Sequence, residues 1–136
     1  MLQQEKPEDF VISTGRMETV RNFIEMTAKK LNWNNENSEN GIIWEGEGIN
    51  EVGRRADTKE IVIKVDKRYF RPTEVNELLG DSSKAFKKLG WEPKTTLEEL
   101  VEEMVAFDKE EAIKESFLNK EGFKVNSSIE SIPFNP

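Results

Sequence analysis

Apolar residues in this chain come in short runs set between stretches of helical periodicity, and that arrangement most limits what it can fold into. Residues 10–13 (FVIS) read as a brief strand ended by Gly15. In residues 17–31, Val20, Phe23, Ile24, Ala28 and Leu31 recur at spacings of three and four, which places them on one face of an amphipathic helix. The stretch 32–41 is rich in Asn, Ser and Glu and predicts an exposed loop. Residues 42–46 (IIWEG) predict another strand, with Gly46, Gly48 and Gly53 making a turn-rich segment after it. Ile61, Ile63 and Val65 alternate against Lys64, with Val62 also apolar, so a strand is expected over 60–66.

Pro72 closes that region and begins a short turn or helix. Asp81 or Ser82 is placed to cap a helix running to Leu89 and stopping at Gly90. Thr96 and Glu99 have capping-box spacing at the head of the longest helix, 97–118, whose partly apolar stripe is Leu97, Leu100, Val101, Met104 and Ala112. Beyond Gly122 the tail is polar and expected to be loosely held. The class is α/β, without an internal repeat and without the regular strand–helix alternation of a complete doubly wound sheet.

At 136 residues the chain is one domain, and equal apolar and charged shares of 35% predict a modest core under a solvated surface. A net charge of −7, with acids along most of the chain, argues against nucleic acid as a partner but leaves room for a small anion held by one or two arginines. With neither cysteine nor histidine, disulfides, thiolate chemistry, the usual zinc sites and imidazole acid–base catalysis are excluded. No apolar run approaches the ~20 residues that span a bilayer. The opening MLQQEKPEDF is acidic and polar and does not read as a secretory signal. A cytoplasmic protein with no membrane partner is the simplest reading.

Three segments carry a resemblance: PEDFVISTGRMETVRNFIEMTAKKLNW (7–33), WEGEGINEVGRRADTKEIVIKVDKRYFRPTEVNELLGD (44–81) and SSKAFKKLGWEPKTTLEELVEEMV (82–105). In this order and spacing the chain resembles the C-terminal third of the GDP-mannose 4,6-dehydratase family, which are extended short-chain dehydrogenase/reductases. Asp81, Lys84, Ala85, Leu89, Gly90 and Trp91 follow a pattern common to extended members, whereas WEGEG (44–48) and YFRPTEV (69–75) are more particular to this branch. The resemblance covers residues 7–121. It implies a partial substrate-binding domain over 1–121 and a polar tail over 122–136, that is, the C-terminal substrate-binding lobe of a Rossmann-type enzyme with the Rossmann domain absent. The family converts GDP-mannose to GDP-4-keto-6-deoxymannose and water for GDP-deoxysugar (fucose-type) biosynthesis. Its tightly bound NADP removes a hydride and returns it, and its members form homo-oligomers. The implied partners are GDP-mannose and the missing Rossmann domain or a full-length homologue.

Residue by residue, the redox half is not here. Gly46 and Gly48 begin the one candidate G-x-G-x-x-G, but its third glycine is replaced by Glu51 and no helix pattern follows, so a tight loop is the better reading. The superfamily Tyr-x-x-x-Lys pair fails as well: Tyr69 is the only tyrosine, and Thr73 stands four residues on. No catalytic residue and no cofactor are therefore assigned to this chain alone. Met1, Leu2 and Gln3 fit a start within a helix of the longer enzyme. Parting the lobes exposes apolar surface and removes half the ligand contacts. The isolated chain is therefore expected to be inactive, to bind GDP weakly, and to associate or partly unfold. The competing function is a stand-alone nucleotide-sugar binding or interaction module.

The substrate-binding candidates are Arg71 and Glu74. Pro72 pushes Arg71 out of the α region into extended backbone at a strand exit. The resemblance implies that this guanidinium approaches the GDP diphosphate or ribose through paired hydrogen bonds, and that Glu74 accepts from a ribose hydroxyl. Alternatively, Arg71 and Glu74 pair with each other on a short helical turn. Arg54 and Arg55 read as a phosphate or subunit contact, or as an exposed loop pair. Trp44 and Trp91 stack on a sugar or base, or are buried anchors. The acids Glu98, Glu99, Glu102, Glu103, Glu110 and Glu111 hold a metal, or form a solvated face with Lys109 and Lys114. Lys84 supports the helix capped by Asp81 or Ser82.

Overall fold

The computed structural model describes residues 4–36, 38–71, 78–123 and 125. Their fold is mixed α/β: α1 (Val20–Lys30), β1 (Ile42–Glu45), a 3-10 turn (Gly48–Asn50), β2 (Val52–Arg55), β3 (Ile61–Lys64), α2 (Ser83–Leu89) and α3 (Leu97–Lys120). The strands form one antiparallel sheet in the order β1-β2-β3. The chain divides after Glu102 into two units, Met1–Glu102 and Glu103–Pro136.

Helix α1 begins at Val20, three residues later than the periodicity suggested, because Thr19 stops it. Thr19 is extended, and its hydroxyl accepts from the Asn22 amide at 3.0 Å. At the other end Asn32 turns left-handed (φ 58°). Trp33 N–H then reaches the Ala28 carbonyl and Asn32 N–H that of Lys29, both at 3.1 Å, in a Schellman pattern. Of the expected apolar face, Ala28 is buried and Phe23, Ile24 and Leu31 are half-buried, but Val20 stays exposed.

Two expectations about strands fail. Residues 10–13 form no strand; Lys84 Nζ donates to the Asp9 carbonyl (2.8 Å) and the Ser13 hydroxyl to that of Gly80 (2.7 Å), so side chains rather than a ladder hold this segment. Conversely, residues 52–55 (VGRR), expected to be turn-rich, form the central strand. Their side chains show no apolar alternation, but both backbone edges are paired, with Trp44 opposite Gly53 and Gly53 opposite Ile63. Gly53 is buried, and a Cβ there would meet Ile63 and Trp44 at 3.1 Å and Ile42 at 3.2 Å. The loop 32–41 is also more engaged than expected. Asn35 and Ser38 exchange backbone bonds at 3.1 Å, the Ser38 hydroxyl donates to the Ile42 carbonyl at 3.0 Å, and the Asn35 amide donates to the Ala56 carbonyl.

The helix ends downstream follow their local signals. Asp81 accepts from Ser83 N–H at 2.9 Å, and α2 stops at left-handed Gly90 (φ 65°). Thr96 and Glu99 form the capping box, with Glu99 N–H to the Thr96 hydroxyl at 3.2 Å and Thr96 N–H to the Glu99 carboxylate at 2.8 Å. From there α3 continues to Lys120, two residues past the expected end. The buried apolar residues among those described are Ala28, Ile42, Ala56, Ala85 and Val101, four of them within the helices and sheet and Ala56 directly after β2, and the core is accordingly thin. No helix among the described residues is long and apolar enough to cross a membrane.

The β1–β2 connection needs glycine at one position. Gly46 has φ 81°, and a Cβ there would lie 2.5 Å from the Asn50 carbonyl oxygen, whereas Gly48 (φ 56°) faces open space. Gly46→Ala is expected to lower unfolding stability by roughly 2–4 kcal/mol, and Gly48→Ala by only about 1–2 kcal/mol, the left-handed backbone cost alone. Urea unfolding followed by tryptophan fluorescence reads both, and equal losses would contradict the packing argument.

Candidate functional site

Beyond β3 the chain folds back through a turn closed by Asp66. Its carboxylate accepts from Arg68 N–H at 2.9 Å and from the Arg68 guanidinium at 2.6 and 3.0 Å, while Tyr69 N–H reaches the Asp66 carbonyl at 3.0 Å. This turn leads into Tyr69, Phe70 and Arg71, all three exposed and outside regular secondary structure. Arg71 therefore follows this turn, seven residues beyond the end of β3, rather than standing at the expected strand exit. Residues 72–77, with Pro72 and Glu74, lie outside the described residues, and so does the alternative Arg71–Glu74 pairing.

The second basic spot is not a loop pair. Arg54 and Arg55 lie half-buried on β2, each with a carboxylate partner. Arg54 Nε donates to Glu45 at 2.8 Å across the β1–β2 ladder, and its terminal nitrogen to the Lys59 carbonyl at 3.1 Å. Arg55 grips Asp57 with two bonds of 3.0 and 2.7 Å and stacks over Trp33, 4.5 Å from the ring centre. The Asp57 bond raises the Arg55 pKa, and the Arg55 bond lowers that of Asp57. These arginines hold the hairpin.

Trp44 and Trp91 are half-buried rather than buried anchors. Trp44 joins α1 to the sheet. Its indole N–H donates to Glu25 at 2.8 Å, Arg21 stacks on its face at 4.2 Å, and Arg21 also pairs with Glu51, while Asn40 donates to the other Glu25 oxygen at 3.0 Å. Sequence reasoning missed Arg21 and Glu25. Their i, i+4 spacing suggests a mutual pair, yet both turn to an aromatic ring far along the chain.

Lys84 does more than support α2. Besides Asp9 it reaches Glu8 at 3.1 Å and lies 4.9 Å from the Phe10 ring, so it fastens residues 8–10 to that helix, assisted by Lys88 on Glu8 at 2.6 Å. Glu98, Glu99, Glu102, Glu103, Glu110 and Glu111 are exposed, and Lys114 pairs with Glu111 at 2.7 Å and Glu110 at 3.6 Å, as a solvated face requires. A concavity of about 670 Å³ lies between α1 and the first turns of α3, with Met26 and Val101 among its walls. Two of the cations in its walls are engaged, Arg16 with Glu98 (2.9 and 3.0 Å) and Lys30 with Glu102 (2.8 Å), and Arg71 is not among its walls.

Residues 1–104 match the family model described as GDP-mannose 4,6 dehydratase. A GDP-mannose 4,6-dehydratase of Yersinia enterocolitica is 48% identical over 141 aligned residues, covering 96% of this chain and 36% of its own length. That of Vibrio cholerae is 44% identical, with the same two coverages, and the human GDP-mannose 4,6 dehydratase is 46% identical over 81% of this chain and 28% of its own. The chain belongs to the GDP-mannose 4,6-dehydratase family. It spans about a third of the length of the relatives it matches, in their C-terminal part.

Of the stretches that carry the resemblance, WEGEG becomes the end of β1 and the glycine turn after it, and YFR leads out of the Asp66 turn. Gly46 precedes and Gly48 opens a 3-10 turn that leads into an antiparallel strand. A pyrophosphate cradle needs a helix N-terminus at that place, so these residues do not fit one.

Several surface carboxylates are held below their ordinary pKa: Glu8 by hydrogen bonds from Lys88 and Lys84, Asp66 by Arg68, and Glu99 by the Thr96 amide and hydroxyl. A folded-state pKa below the unfolded value gives stability that is present above the ordinary carboxylate range and lost as pH falls through the folded value. Stability is therefore expected to decline progressively below about pH 4 and to change little between pH 6 and 8. Urea midpoints across that range check this, and Asp66→Asn should flatten the acid limb.

Proposed function

We propose that this chain supplies the substrate side of a GDP-mannose 4,6-dehydratase, the conversion of GDP-mannose to GDP-4-keto-6-deoxymannose and water. The observation that carries the reading is 41–48% identity, over 79–96% of the chain, to proteins bearing that name. Residues 1–121 are the substrate-binding part and 122–136 a polar tail. A Rossmann-type lobe on additional polypeptide completes the cleft, in a cytoplasmic homo-oligomer.

Arg71 is assigned to the GDP diphosphate. An exposed arginine just after a turn, with a planar fork of donors, suits two phosphate oxygens at once. Glu74 is assigned to a ribose hydroxyl through its place in YFRPTEV. Arg54 and Arg55 receive no substrate role: they lie half-buried within β2 and hold the hairpin. NADP, which supplies hydride removal and return in this family, is assigned to the other lobe because the glycines here do not fit its pyrophosphate. What this chain's own residues do is bind and orient the nucleotide sugar.

Titration calorimetry with GDP tests the assignment. Arg71→Ala should weaken binding about 10- to 150-fold, the equivalent of roughly 1.5–3 kcal/mol for a charge-assisted bond. The chain alone should not turn over GDP-mannose, and mixing it with the N-terminal two thirds of the Yersinia relative plus NADP should give turnover. Unchanged GDP affinity in Arg71→Ala removes the site. Turnover by the 136-residue chain alone refutes the division of labour.

A further inference from the structure

The second unit leaves large apolar side chains of α3 in solvent: Met104 is 43% exposed, Phe107 64%, Ile113 61%, Phe117 63% and Leu118 39%. Their spacing is ordered. Phe107, Glu110, Lys114 and Phe117 follow one another at intervals of three, four and three, which traces a single seam along a helix. Met104, Glu111 and Leu118 flank that seam on one side, Ala106 and Ile113 on the other. The family match ends at residue 104, so the seam lies beyond it.

We propose that this seam pairs with the same seam of a second copy of the chain, antiparallel about a two-fold axis. The charges select the occupant and its direction. Run antiparallel, the seam sets Phe107 opposite Phe117 of the second copy and Glu110 opposite Lys114 of the second copy, with each pairing occurring twice. The same register places Met104 beside Leu118 and Ile113 beside Ile113 of the second copy. Parallel pairing instead stacks Glu110 on Glu110 and Lys114 on Lys114. An antiparallel slip of one layer sets Glu110 on Glu110 with Phe107 against Lys114, or Lys114 on Lys114 with Phe117 against Glu110. One register therefore matches both the rings and the charges.

The phenylalanine pairs supply apolar burial, and the Glu110–Lys114 pairs supply register, which is what a partly buried ion pair does best. One contact opposes the arrangement: Glu111 approaches Glu111 of the second copy near the axis. Lys114 of its own chain lies 2.7 Å from that carboxylate and moderates the repulsion.

Sedimentation equilibrium of the full chain should show a reversible monomer–dimer equilibrium. Phe107→Glu with Phe117→Glu should abolish the dimer while leaving helicity by circular dichroism unchanged, since both rings are exposed in the monomer. Glu110→Lys and Lys114→Glu should each weaken self-association at least tenfold, and an equimolar mixture of the two should dimerise, because every seam charge then meets its opposite. Glu111→Gln should tighten the dimer. A wild-type chain that stays monomeric at several hundred micromolar overturns the proposal. So do a dimer that survives the double glutamate variant, and charge variants that fail to restore one another on mixing.

Discussion

Gly53 occupies the one buried position of the central strand, and the space where its side chain would be is filled from three directions by Ile42, Trp44 and Ile63. That convergence lets three strands of four residues each act as a platform, although they are short by the standard of sheets. Trp44, seated over Gly53, presents its indole to α1, where Arg21 covers the ring and Glu25 takes its proton-bearing nitrogen. Ile42 sits at the buried start of β1, next to Gly41, whose carbonyl accepts from Ala56 N–H at 2.9 Å. A side chain at position 53 would push apart each of these contacts at once.

The polar surface repeats one economy throughout. Arginine and lysine side chains are committed to nearby carboxylates: Arg54 to Glu45, Arg55 to Asp57, Arg68 to Asp66, Arg16 to Glu98, Lys30 to Glu102. Exposed pairs like these contribute little each, typically under ~1 kcal/mol. Their larger effect is to set directions for the chain: Asp66 and Arg68 close the turn that delivers Arg71 to the surface, and Arg55 with Asp57 shapes the hairpin between β2 and β3. With so thin a core among the described residues, Arg71 is positioned chiefly by turn chemistry.

Much of this was legible in the residues. The capping box at Thr96 and Glu99 and the left-handed stop at Gly90 are local: each needs only side chains and backbone within a few residues of one another. The misread elements are those whose partners are distant. Residues 10–13 have the right side chains for a strand, but the Ser13 hydroxyl donates to the Gly80 carbonyl 67 residues away and Lys84 holds the carbonyl of the adjoining Asp9, in place of a neighbouring ladder. Residues 52–55 have poor strand side chains and become the central strand because both neighbours supply backbone partners. Arg54 and Arg55 went astray with them, since a pair of arginines beside glycine looks like a loop until the strand places Glu45 and Asp57 within reach.

By itself the sequence determined the helix boundaries marked by caps, the exclusion of thiol and imidazole chemistry, the lack of a glycine-rich cofactor turn, and the family, because each depends on residue identity and short spacing. Only the tertiary structure decided which segment became the middle strand, that Trp44 is taken up by Arg21 and Glu25, and that the sheet arginines are structural. Those outcomes depend on backbone hydrogen bonds and ring contacts between residues far apart in the chain, which no short window of sequence contains.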